Sequence, residues 1–97
     1  MAKLHRSGTA QQETALRQAA VIRGMMHDLG RTIQFLDIDI STEEERGRIF
    51  DRSDPAYPIL ARTLTARRDN LIVTIADLAQ RLRTITAAIP VAIPVAA

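Results

Sequence analysis

Eight apolar residues set the terms on which this chain can fold. Ala15, Ala19, Ile22, Met26, Leu29, Ile33, Leu36 and Ile40 recur at intervals of 4, 3, 4, 3, 4, 3 and 4. A 3.5-residue period places all eight on one seam of an α-helix and is incompatible with the two-residue alternation of a strand. The spacing predicts a helix over about residues 9–38, preceded by a disordered arm over 1–8. One flank of the seam adds Val21, Met25 and Phe35, and the other carries Arg23, His27, Gln34 and Asp37. Such an apolar face is wider than a two-stranded zipper requires, so the helix is expected to touch more than one neighbour. Gly24 and Gly30 each weaken it by about 1 kcal/mol relative to alanine. Gly30 lies beside the seam, where a second backbone could approach closely.

The stretch that follows, DIDISTEEERGRIFDRSDP, carries helix-start signals. Ser41 precedes Glu44 by three residues and Thr42 precedes Glu45 by three, and either pair suits a capping box, with Glu43 adding charge that favours the positive helix end. A short helix over 42–52 is the expectation, with Ile49 and Phe50 on its apolar side. Asp54 before Pro55 reads as an N-cap and first-turn pair, so a third helix is expected over 55–88. Leu60, Leu64, Arg67 and Leu71 keep a 4-3-4 spacing, and Leu71, Ile75, Leu78, Leu82, Ile85 and Ile89 keep 4-3-4-3-4. The extra residue between the two halves resembles a stutter, with Arg67 on the seam near it. Ile72, Ala76 and Ala79 widen the apolar face. Pro90 ends the helix.

Two long helices joined through a short one fold back as an antiparallel hairpin, an all-α architecture. Ninety-seven residues with no cysteine, no tryptophan and three aromatics (Phe35, Phe50, Tyr57) can build one domain around a thin aliphatic core. One hairpin covers a single side of each long helix, while both helices have faces broader than that. The expected remedy is a homo-oligomer, most simply a dimer completing a four-helix bundle about a two-fold axis. The residues expected at such an interface are Met25, Met26, Leu29, Ile33, Phe35 and Leu36 from the first helix. Leu71, Ile72, Ile75, Leu78 and Leu82 are their counterparts on the third. An amphipathic helix of a protein partner would suit the same groove.

Residue chemistry points away from catalysis and cofactors. His27-Asp28 is the nearest approach to a metal motif, but neighbouring helix positions point about 100° apart, and the other histidine is His5. No Glu-x-x-His pair supplies di-iron ligands, and Gly24, Gly30 and Gly47 are dispersed rather than gathered into a phosphate loop. Glu43, Glu44 and Glu45 read as caps and dipole partners. Twelve of the thirteen basic residues are arginine, yet the net charge is only +2 because acids interrupt the run. Asp77 and Arg81 suit an i,i+4 pair on a solvated face, so nucleic-acid binding through the arginines is the alternative and not the leading expectation.

The long–short–long helix order, with arginines on the polar side, resembles chorismate mutase in outline. That resemblance implies a helical dimer with a basic pocket for a dicarboxylate. The departure lies on the inner face of the first helix, where Ile22, Met26, Leu29 and Ile33 stand and from which Arg17 and Arg31 are absent. The sequence therefore favours a non-enzymatic helical interaction module, an adaptor or chaperone-like protein acting by helix-in-groove burial. With no apolar run of secretory or membrane-spanning length, a cytoplasmic location without membrane contact is expected. The final run TAAIPVAIPVAA carries no charge, and residues 90–97 are expected to form an extended apolar tail that docks in a groove.

Overall fold

The computed structural model describes residues 2–89, with side chains from residue 10 onward. Two helices make up the fold: α1, Ala2–Gly47, of 46 residues, and α2, Ile59–Ala88, of 30. Side-chain contacts set their relation. The Tyr57 hydroxyl, just before α2, reaches Glu44, and Arg68 one stage along α2 reaches Asp37. As α2 advances α1 recedes, which is an antiparallel hairpin. The expected tail, residues 90–97, lies outside the described residues.

The first helix runs longer than its seam suggested, at both ends. Residues 2–8, expected as an arm, are its opening turns. The short helix expected over 42–52 does not form. Residues 41–47 continue α1, and 48–52 are turn and coil. The Ser41 and Thr42 capping boxes go unused because the helix never stops there. Thr42 Oγ1 instead donates to the Ile38 carbonyl at 2.9 Å, a back-bond to the preceding turn of an uninterrupted helix. Glu43 then pairs with Arg46 at 3.3 Å, three residues on. The turn comes at Gly47 and Arg48. Arg48 adopts a left-handed φ of 57°, which redirects the chain, and a Cβ on Gly47 would stand 3.0 Å from Pro58 Cγ, so the returning chain passes close to it.

Asp54 caps a single turn instead of a helix. Its carboxylate accepts the Ala56 N–H at 2.8 Å and its carbonyl accepts the Tyr57 N–H at 3.0 Å. Continuation from Pro55 is blocked at Tyr57, because a following proline disfavours helical backbone. Pro58, with ψ of 127°, becomes the N-cap, and its carbonyl accepts the Arg62 N–H at 3.0 Å. The third helix expected over 55–88 is thus α2, starting at Ile59.

Along α1 all eight seam residues face inward. Ala19, Ile22, Leu36 and Ile40 are buried, and Ala15, Met26, Leu29 and Ile33 are half-buried. On α2 the inward residues are Ala61, Leu64, Thr65, Arg68, Leu71, Ile75, Leu78, Leu82 and Ile85, with Ile89 just past its end. From Leu64 and Arg68 onward the intervals alternate 4 and 3, and the buried Thr65 beside Leu64 donates its hydroxyl to the Ala61 carbonyl at 2.8 Å. Leu60 and Arg67, expected on the seam, are exposed. Ala61, completely buried, takes the place of Leu60.

The molecule measures 70 × 30 × 18 Å, with a radius of gyration of 21.3 Å. A compact domain of about 100 residues has a radius of gyration near 13 Å. In so slender a body, no large side chain among the described residues is fully buried. From the pairing of Asp37 with Arg68, Ile89 falls at about the level of Leu16, at 1.5 Å per residue on each helix. The turns of α1 before that level have no α2 residue opposite them.

Candidate interaction surface

The residues expected at an interface divide by exposure. Leu36 and Leu78 are buried between α1 and α2 of the same chain, and Met26, Leu29, Ile33, Leu71, Ile75 and Leu82 are half-buried along that seam. Met25, Phe35 and Ile72 are exposed at 46%, 59% and 48%. The hairpin therefore occupies the inner edge of the predicted surface and leaves its outer members in solvent. Leu16, Val21, Ile38 and Val73 are exposed with them.

Some of this apolar area gathers at particular places. At the open end, Val21, Ile22 and Met25 of α1 and Ile85 of α2 form the floor of a groove of ≈ 510 Å³. Thr14, Arg17, Gln18 and Arg81 stand around it. Near the closed end, Phe50, Ile59 and Leu60 are exposed, Ile59 at 82%. Gly30, half-buried beside the seam, has no described atom outside its own stretch of helix within 4 Å of a Cβ built there.

Polar side chains fix the hairpin's geometry. Arg68 sits on the seam with its guanidinium reaching outward, where Nη1 donates to Asp37 Oδ1 at 3.0 Å and Nη2 to Asp69 Oδ1 at 3.2 Å. The bond to Asp37 raises its pKa further above the ordinary arginine value, opposed by partial desolvation. Tyr57 is 3% exposed, and its hydroxyl donates to Glu44 Oε2 at 2.9 Å while the Arg62 guanidinium lies 5.4 Å from its ring centroid. In the connecting loop Asp51 Oδ1 accepts the Ser53 hydroxyl at 2.7 Å and the Ser53 N–H at 2.9 Å. Those two bonds, the hydroxyl first, hold its carboxyl below the ordinary range.

Tyr57, Ala61 and Arg68 hold structural positions that the apolar spacing by itself does not mark. The signal for two of them was present: carrying the 3-4 spacing back from Leu71 lands on Arg68, Leu64 and Ala61. Beside Leu60 an alanine does not read as core, and the 4-3-4 spacing that starts at Leu60 falls on Arg67 instead of Arg68. Tyr57 carried no periodic signal at all.

The other polar candidates stay apart. His27 Nδ1 lies 3.7 Å from Asp28 Oδ1, with both side chains largely in solvent. Among the described residues, no group of three His, Asp or Glu side chains is placed to hold a metal ion. Arg81 makes no ion pair with Asp77 there; the described ion pairs join Arg46 to Glu43 and Arg68 to Asp37 and Asp69. The long–short–long order behind the chorismate mutase resemblance is missing, since the short helix is part of α1 and a loop. No described helix is long and apolar enough to cross a membrane. No protein-family model, curated protein or solved structure matches the chain.

Proposed function

We propose that this chain acts by association, as a non-enzymatic helical interaction module whose hairpin pairs with a second copy of itself to complete a four-helix bundle. The observation that carries the reading is the exposure of large apolar side chains on both helices, from Val21 at 62% and Met25 on α1 to Ile72 and Val73 on α2. Each such side chain would contribute about 1.5–3 kcal/mol if fully buried against a partner, before ordering costs. Gly30, where a Cβ would meet no described atom outside its own stretch of helix within 4 Å, suits a close approach of the partner's backbone. Arginines beside the apolar flanks would then fix the orientation through acidic residues of the second copy.

Light scattering coupled to size exclusion tests this directly. The expected mass at micromolar concentration is twice that of the 10.7 kDa chain, and Ile72→Arg should lower it while leaving the helical circular dichroism intact. A 10.7 kDa species at every concentration, unfolding cooperatively, would sink the proposal.

A further inference from the structure

We propose that the groove at the open end of the hairpin, floored by Val21, Ile22, Met25 and Ile85, receives residues 90–97 of the same chain. Position is the first argument. The groove takes its α2 wall from Arg81 and Ile85, and α2 ends at Ala88, so the following segment departs within about a turn of it. Direction is the second. Ile89 has already left the helix, with φ of −79° and ψ of 121°, and Pro90 and Pro94 bar any return to it.

Reach and side-chain pattern agree with that course. Eight extended residues span about 26 Å, whereas the α1 wall from Thr14 to Met25 rises about 17 Å. The segment can double back at Pro90 and still line the whole groove. In extended backbone, alternate side chains share one side. Val91, Ile93 and Val95 would meet the apolar floor together, with Ala92, Pro94 and Ala96 turned outward.

The groove's rim fits the backbone of such a segment. An extended strand with no ladder neighbour presents carbonyls without donors. Arg17 and Arg81 on the rim make no ion pair among the described residues, and their guanidiniums are donors with no acceptor capacity. Docking of this kind could occur in a monomer; it would cover Val21 and Met25 and leave Phe35, Ile38, Ile72 and Val73 exposed for the association proposed above.

The absence of cysteine makes the test clean. A spin label on the single thiol of Ala96→Cys should broaden the methyl signals of Val21, Met25 and Ile85 severalfold relative to the reduced label. The Ile72 methyl serves as control and should keep its intensity. Met25→Arg should abolish the broadening at Val21 and Ile85 while circular dichroism stays unchanged. Equal intensities at the groove methyls with and without active label would overturn the proposal. So would broadening in a mixture of spin-labelled chains with isotope-labelled, unmodified ones, because the segment would then come from a second copy. Mass measurement on the same samples reports association separately, so failure of either idea is visible without the other.

Discussion

Tyr57 closes the turn end of the hairpin through three different contacts. Its ring is buried against the helices, Arg62 stands over one face, and its hydroxyl donates to a carboxylate on the last turns of α1. Removing the hydroxyl alone separates the polar contact from the packing. Tyr57→Phe should cost about 1.5 kcal/mol, at the low end for a bond to a charged group because Glu44 is only half-buried. Tyr57→Ala, which also empties the ring's site, should cost about 3–5 kcal/mol. Urea unfolding of both variants checks the pair, and equal losses would mean that the ring contributes nothing. Arg48 offers the opposite kind of change. A side chain at φ of 57° is held in the left-handed region, where a non-glycine residue costs about 1–2 kcal/mol. Arg48→Gly should therefore raise stability by about 1 kcal/mol in the same measurement. The glycine that the sequence supplies sits one residue early, at Gly47, where the near approach of Pro58 gives it a separate use.

Each helix element discloses a different part of itself in sequence. The α1 seam was legible in full, because eight apolar residues at unbroken 3.5 spacing admit one helical reading and all eight turn inward. Its ends were not. Capping residues signal where a helix can start, and Ser41, Thr42, Glu44 and Glu45 serve equally well in the interior when nothing forces a stop. On α2 the seam was legible from Leu71 onward, where the inward residues are large and aliphatic. Before that point it depends on Ala61 and Arg68, whose inward position follows from what lies opposite them on α1. The outward flank of the candidate surface was legible as an excess of apolar width, through Met25, Phe35 and Ile72. The division between the chain's own seam and its exposed flanks required the second helix to be in place. Gly24 tests helix propensity apart from packing, since a Cβ there meets nothing within 4 Å. Gly24→Ala should raise the stability of α1 by about 1 kcal/mol, read as a higher melting temperature with no change in molecular mass.

For the molecule as a whole, seam and flank substitutions should have different consequences. Leu29 is half-buried between the helices, and Leu29→Asp places a carboxylate where it loses much of its hydration without a partner. The expected loss is about 3 kcal/mol or more, most of the ~5 kcal/mol at the lower end of small-domain stability, so that mild heating unfolds the variant. Circular dichroism should show lost helix, in contrast to Ile72→Arg, which should keep its helix and lose mass. The unequal lengths of α1 and α2 carry a further consequence, for how the protein responds to load. The described ends of both helices that face away from the turn point the same way along a 70 Å rod, with α2 stopping about 21 Å short of the start of α1. A force drawing them apart would peel the seam from Ile89 and Ala15 toward Tyr57, one pair of turns after another, rather than shear all its layers at once. With no fully buried large side chain among the described residues to make any layer dominant, the extension should grow smoothly at low tension. The firmest resistance comes last, at the tyrosine beside the turn.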